Sequence, residues 1–429
     1  MNTFRKLASL LLALTLLLCT ASAAAAETAD ADSAFVDYVS QLKLNMSSTS
    51  AKTSATVKTH VDGDTVHFNV PESVCEDGVL KARFLALNTP ESTGKIEEYG
   101  VKASHFTKET LASAVSIILE SDSDKWEYDS TGGRMLVWVW YQPEEGAEYR
   151  NLNLELLQNG LARAYSTANN KYGTICTNAL DQARKCKLNL YSGQPDPDFY
   201  YGDAIELTLR ELRCHPDAYL NKKVAFNGVV TLAHNNSVYV EATDAESGLT
   251  FGISVYYGYG LSGKGLTILT PGNEVRIVGT VQYYESGNQY QISDVTYRMM
   301  KPSDPGNIQL LSEGHAPLYT PTTLSALYSQ VTLTDEEGVE STYDYAELAQ
   351  NTSVAMQHLH VLSVLRDEDG HAILTCQDGE QQLTVVASAD RVPDDIVGQT
   401  ITAFGFVERS KGQPAVRVYD NGVLLTELN

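Results

Sequence analysis

The 429-residue chain is poor in several groups that commonly announce a chemistry. It has six cysteines, and no Cys-x-x-Cys spacing, which sets aside zinc ribbons and redox dithiols. Cys176 and Cys186 fall on one expected helix, where ten residues rise about 15 Å, too far for a disulfide. They read as buried small apolar groups, and disulfides are not expected to organise the fold. Positive charge is also scarce: 31 Lys and Arg stand against 54 Asp and Glu, a net charge of −23. That balance excludes a general polyanion binder, because sequence-independent affinity for phosphate comes from Lys and Arg releasing counterions. The deficit is uneven, with 16 basic against 25 acidic residues over 27–200 and 13 against 29 over 201–429. Any phosphate chemistry must therefore rest on a local cation and a few placed arginines. No Ser-His-Asp arrangement stands out. Beyond the N-terminus no apolar run approaches the ~20 residues that span a bilayer.

What is present begins with an export signal over residues 1–26: Arg5 and Lys6, an apolar run from Leu7 to Leu18, then Ala24-Ala25-Ala26. A mature chain starting near Glu27 and secreted is expected. Lipid attachment at Cys19 is disfavoured because Leu18 precedes it. Residues 27–54 read as a loosely ordered lead-in rich in Ala, Ser, Thr and Asp. A first domain is expected over 55–192. Alternation over Val57–Val70 and Leu80–Leu87 predicts strands, and Arg134–Tyr141 a buried strand. Helices are expected over Glu98–Leu111, Asn151–Leu157 with Gly160 as its stop, and Thr174–Lys187.

Three phrases in this domain carry candidate chemistry. Asp62-Gly63-Asp64-Thr65 offers two carboxylates, Arg83 through Asn88-Thr89-Pro90-Glu91 an oxygen-rich loop ending in a carboxylate, and Thr131-Gly132-Gly133-Arg134 a second arginine. Together they could hold a hard cation and a phosphodiester while water attacks. Each has a plainer reading: Asp62-Gly63-Asp64 as a hairpin turn, Thr89-Pro90-Glu91 as a loop start, and both arginines as structural partners of nearby acids. A structural reading must explain all of them at once.

With Glu98-Tyr99-Gly100 and Ala103-Ser104-x-Phe106-Thr107-Lys108, Asn153-x-x-Leu156-x-x-x-Gly160-Leu161-Ala162 and Lys187-Leu188-Asn189-Leu190-Tyr191, these phrases follow one order. Over residues 57–191 the chain resembles the staphylococcal (micrococcal) nuclease, or thermonuclease, family. The resemblance implies a five-stranded OB-type barrel with three helices. It implies Ca²⁺ held by Asp64, Asn88 and the Thr89 carbonyl with Asp62 nearby, Glu91 as general base, and Arg83 and Arg134 on the scissile phosphate. Planar bidentate donors suit that task better than lysines. Two departures stand out. Asn88 replaces a carboxylate, which weakens the expected affinity for Ca²⁺. The family's aromatic two residues before the second arginine is Gly132 here, so base stacking would fall to Tyr165 or Tyr172.

The rest of the chain predicts two further OB-like barrels, over 203–301 and 342–429, joined by a linker at 302–341. Val278-Gly279-Thr280-Val281 and Phe404-Gly405-Phe406-Val407 open similar closing hairpins. The overall expectation is a mainly β, α+β protein: a nuclease-like OB barrel followed by two more. The implied activity is Ca²⁺-dependent hydrolysis of DNA and RNA with low sequence preference, by a secreted monomer. The alternative is a non-catalytic extracellular binding protein of three barrels. The acidic C-terminal barrels, with exposed tyrosines but no basic groove, are expected to contact protein or envelope rather than nucleic acid. Gly258–Gly265 reads as a flexible β-turn, and His358-x-His360 as a solvent-facing pair.

Overall fold

In the computed structural model the described residues are 35–285, 287–335 and 338–427. The export signal expected at 1–26 lies outside them, as does Cys19. Among the described residues no helix is long and apolar enough to cross a membrane, and the five cysteines there are all free thiols.

The first barrel is built from β1 (Lys52–Asp62), β2 (Thr65–Asn69), β3 (Val79–Phe84), β4 (Ser116–Glu120) and β5 (Met135–Gln142). Antiparallel pairs β1–β2, β2–β3, β1–β4 and β4–β5 are closed by a parallel pair, β3–β5. Closure removes both sheet edges and lets alternate residues fill one core. Phe68, Leu80, Phe84, Leu119, Trp138 and Trp140 are fully enclosed there. Three helices pack on the outside: α1 (Gly100–Ser113), α2 (Leu152–Gln158) and α3 (Gly173–Lys185). The Asn151 side chain caps α2 by accepting from the Leu154 amide at 2.9 Å. Gly160, at φ +65°, ends the segment against the Leu188 carbonyl, where a Cβ would not fit.

The continuous strand expected over Val57–Val70 is a hairpin instead, turning at Gly63-Asp64. The lead-in ending at residue 54 is also shorter than expected. A helical turn at Tyr38–Gln41 buries Val39 against the first core, its Tyr38 amide donates to Gln158 Oε1 at 2.7 Å, and β1 starts at Lys52. The low hydrophobicity of this stretch concealed a few well-placed apolar residues, among them Leu42 and Leu44.

The second barrel uses β6 (Lys223–His234), β7 (Ser237–Thr243), β8 (Thr250–Tyr256), β9 (Glu274–Tyr284) and β10 (Gln289–Ser293). The third uses β11 (Ser353–Arg366), β12 (His371–Asp378), β13 (Gln381–Ser388), β14 (Thr400–Ser410) and β15 (Gln413–Val418). Both repeat the first barrel's pairing scheme: first with second and fourth, second with third, fourth with fifth, and a parallel closure of third on fifth. Gly279 and Gly405 occupy matching places. A Cβ there would lie 2.6 Å from the Ser293 carbonyl oxygen and 2.5 Å from that of Arg417, so both closing hairpins need glycine for close approach.

The segment expected as a linker, 302–341, is largely built into the barrels. Gln309–Ser312 pairs with β9, Thr320–Thr322 runs parallel to β11, and Gln330–Thr334 forms a hairpin with Glu340–Asp344. Its Pro and Ser content was read as spacer, but short edge strands tolerate both. The two C-terminal barrels share a packed interface. Buried Glu241 accepts from the Ser353 amide and hydroxyl, both at 2.7 Å, and Tyr239 donates to Glu408 at 2.8 Å beside the Phe406 and Tyr419 rings.

Glu120, wholly enclosed at the end of β4, ties the first barrel's wall together. It accepts from Lys171 at 2.6 Å, Trp140 Nε1 at 2.9 Å and Tyr172 at 3.0 Å, with Lys52 at 3.4 Å. Burial alone would raise its pKa, but the donors led by Lys171 and Ser50 outweigh it and hold the carboxyl below its ordinary 4.5. A depressed carboxyl stabilises the fold above its unfolded pKa, and that contribution is lost as pH falls through the folded value. Glu120→Gln should cost about 3 kcal/mol at pH 7 by leaving buried ammonium groups without their anion. The difference from wild type should shrink below pH 4 in urea unfolding series; an equal deficit at all pH values would contradict this account.

Candidate active site

The candidate residues sit where the first barrel's strands end. The β1–β2 turn places Asp64 behind the end of β3, where it is only 2% exposed. Its carboxylate pairs with the Arg83 guanidinium and accepts from the Thr89 amide at 2.9 Å and the Thr65 hydroxyl at 3.0 Å. Arg83 also donates to Asn88 Oδ1, and Asn88 Nδ2 donates to the Thr89 carbonyl at 3.0 Å. Four of the expected residues are thus joined in one network, in which a single guanidinium bridges the Asp64 carboxylate and the Asn88 amide oxygen.

The backbone makes this possible by turning sharply after β3. Ala86 adopts φ +70°, an uncommon conformation for a residue with a Cβ. Buried Asn153 holds the turn from α2, donating to the Leu85 and Val137 carbonyls at 3.0 Å and accepting from the Val139 amide at 2.8 Å. The chain then returns as a short pairing of Leu87 with Ala164 and Asn88 with Arg163.

Asp62 belongs to the same turn but to a different set of partners. Its Oδ1 accepts from the Gly63 amide at 2.7 Å and from the Ser92 hydroxyl and amide at 2.5 and 3.2 Å. Burial pushes its pKa up to about 8, against those donors, with the nearby Glu91 and Asp64 charges adding to the rise. Glu91 itself is exposed on the loop. Its backbone is fixed by the Glu97 amide, which donates to its carbonyl at 2.8 Å, and by Gly100, where a Cβ would lie 2.1 Å from the same oxygen.

Arg134 lies in the turn immediately before β5, the strand that runs parallel to β3 with Ala82 opposite Met135 and Arg83 opposite Leu136. Its side chain, however, turns to Asp129 in its own hairpin, with Nε and Nη2 both at 2.7 Å, and stays 37% exposed. Burial would raise the Asp129 pKa, but the Thr131 and Arg134 hydrogen bonds hold it down at about 2. Asp129 takes one edge of the planar fork and leaves the edge toward Nη1 for an anion.

Residues 81–193 match the family model described as staphylococcal nuclease homologue. The match starts within β3 and runs past α3, and a nuclease-type fold for the first barrel agrees with it. The two C-terminal barrels, outside the matched stretch, are OB-like in the same strand topology.

The donors around the nuclease-like turn fit a hard cation by type. The Asp64 carboxylate, the Asn88 amide oxygen and the Thr89 carbonyl are all oxygens, and the Thr89 hydroxyl, enclosed beside Gly63, has no partner among the described residues. Arg83 now satisfies two of these oxygens, which shows that they converge on one positively charged group. Among the described residues no trio of His, Cys, Asp or Glu side chains is spaced as metal ligands, so a cation here would depend on the neutral Asn88 and backbone oxygens.

The two proposed stacking residues separate. Tyr165 is 62% exposed directly after the Ala164 pairing. Tyr172 is not a stacking platform: its ring packs edge-on against Trp138 and Trp140 at 5.0 and 5.8 Å, and its hydroxyl donates to Glu120. A solvent-facing and a packed tyrosine look alike in sequence. Three contributors went unread: Ser92, which holds Asp62; Arg163, opposite Asn88 and 3.6 Å from Glu97; and Gln282 of the second barrel. For Ser92 and Arg163, position beside the motif residues was the available signal; Gln282 had none.

A cleft of about 900 Å³ opens beside the Glu91 loop, between the first and second barrels, lined by His60, Glu91, Ser92, Tyr239, Tyr256 and Gln282 among others. Burial holds the His60 imidazole down at about 4, so it is neutral at pH 7, with Nε2 2.9 Å from the Ser104 hydroxyl. The unequal burial of the two tyrosines gives a direct comparison. Tyr172→Ala should cost about 3 kcal/mol of stability, while Tyr165→Ala should change it by less than about 0.5 kcal/mol. Guanidinium unfolding of both variants checks this, and equal losses would overturn the assignment.

Proposed function

We propose that the protein is an exported, Ca²⁺-dependent phosphodiesterase that cuts DNA and RNA with little sequence preference. The observation that carries this reading is the bridging of Asp64 and Asn88 by Arg83 directly before an exposed Glu91. A pure binding module has no chemical reason to keep a buried anion, a convergent oxygen set and a solvent-facing carboxylate together. The family match supports hydrolysis of nucleic acid in general; cation, substrate range and export rest on the residue arguments.

In this reading Asp64, Asn88 and the Thr89 carbonyl hold Ca²⁺, which supplies charge stabilisation to the phosphoryl oxygens. Arg83, released from its two oxygen partners, meets the scissile phosphate from one side. Arg134 approaches from the turn before β5 with the fork edge that Asp129 leaves open. Glu91 takes the proton of the attacking water, and its exposure leaves room for that water. Negative charge gathering on the phosphorus oxygens is stabilised more than the ground state by two planar donors, one on β3 and one in the turn before β5. The acidic body gives no long-range help in capturing substrate, so capture rests on the local cation and the two arginines.

Cleavage of heat-denatured DNA and of RNA, with Ca²⁺ and with chelator, tests the reading. Glu91→Gln and Arg134→Ala should each lower kcat by about 100-fold or more while leaving the unfolding midpoint in place. Full activity in either variant would sink the assignment, and no cutting by wild type at any Ca²⁺ level would move a binding function to first place. Asn88→Asp restores one negative charge to the donor set and should lower the Ca²⁺ concentration for half-maximal rate by about tenfold; an unchanged Ca²⁺ requirement would remove Asn88 from it.

A further inference from the structure

The loop that carries Glu91 is fastened from outside its own barrel. Gln282 lies on β9 of the second barrel, 190 residues after Ser92 in the chain, and is 5% exposed. Its amide makes two opposed contacts with the loop: Oε1 accepts from the Gly94 amide at 3.2 Å, and Nε2 donates to the Ser92 carbonyl at 3.2 Å. Ser92 in turn gives its amide and hydroxyl to Asp62, the first carboxylate of the β1–β2 turn. Three residues further along the hairpin, Glu285 pairs with Lys108 of α1, the helix that follows the loop. The second barrel thus grips both the loop and the helix after it.

Beyond the Ser92–Asp62 hydrogen bonds, little else fixes Ser92, Thr93 and Gly94. Ile96 is the loop's buried apolar residue before Tyr99, and Gly94 sits at φ +67°, where it adds freedom rather than restraint. Glu91 is held by Glu97 and Gly100 on its carbonyl side and Ser92 by Asp62, but the Ser92 carbonyl and the Gly94 amide are tied by Gln282. An amide is suited to this place because it presents one donor and one acceptor at once. A carboxylate would face the Ser92 carbonyl, and an ammonium would face the Gly94 amide.

We infer that Gln282 is a positioning residue of the nuclease site, acting through Ser92 and Gly94 to fix the Glu91 carboxylate, so that the second barrel is a working part of the enzyme. The inference rests on the phosphodiesterase reading above. It assigns the second barrel a role in the rate of the reaction rather than in holding nucleic acid, which its acidity disfavours. A general base displaced by about 1 Å can lose about 100-fold in rate without loss of binding.

The test uses the full mature chain in four forms: wild type, Gln282→Met, Glu91→Gln and the double variant. Methionine keeps the volume of glutamine and removes both hydrogen bonds. With a single-stranded oligodeoxynucleotide and Ca²⁺, Gln282→Met should lower kcat by about 10- to 100-fold, leave KM within about twofold and speed hydrogen exchange at the Gly94 amide. In the double variant the residual rate should match that of Glu91→Gln alone, because a residue that acts through Glu91 has nothing left to position. An unchanged kcat in Gln282→Met, or losses that multiply in full in the double variant, would overturn the proposal. Were wild type inactive, the phosphodiesterase reading and this role would fall together, and the Gly94 exchange rate would still report whether the clamp exists.

Discussion

The first barrel's functional edge depends on one buried negative charge. Asp64 is enclosed at the β1–β2 turn, and a carboxylate taken out of water costs several kcal/mol unless charge and hydrogen bonds offset it. The Thr89 amide, the Thr65 hydroxyl and the Arg83 guanidinium meet that need. Arg83 then recruits Asn88, and the turn at Ala86 that brings Asn88 and Thr89 back is fastened by Asn153 from α2. The same demand that stabilises the turn therefore collects oxygens around one cationic position. Stability and chemistry share a single network here, as is common where strained or charged groups are retained at functional sites.

The second consequence concerns the barrels that follow. All three repeat one strand topology, and the last two share a matched glycine in the closing hairpin. Sharing a topology does not make them equivalent. The second barrel contacts the Glu91 loop through Gln282 and α1 through Glu285, whereas the third is joined to the second through Glu241, Ser353 and an aromatic cluster. Two tyrosines lie in this interface: Tyr239 and Tyr419 both donate to Glu408.

Much of the barrel architecture was legible because strands with one buried face alternate with period two, and Gly and Asn mark their ends. The three helices of the first barrel fall close to their expected positions, and the five strands that close each later barrel fall within the expected ranges 203–301 and 342–429. Ser116–Glu120 was unread, since its continuous apolar run is buried on both sides and has no alternation to show. The segment 302–341 was unread for the opposite reason: its strands are short, polar and on edges. Candidate site residues were legible only as an ordered set of phrases, because no single one of them separates a turn from a ligand.

By itself the sequence determined the three-barrel plan, the acidic surface, and the presence of Asp64, Arg83, Asn88, Thr89 and Glu91 within a short stretch, because local periodicity and charge are properties of the chain. Only the tertiary structure decided that Arg83 bridges Asp64 and Asn88, that Arg134 turns to Asp129, that Tyr172 is packed between tryptophans, and that Gln282 reaches the loop after Glu91. These are contacts between groups far apart in sequence, or choices among rotamers and partners. Packing and the cost of leaving buried polar groups unpaired select them once the barrels have closed.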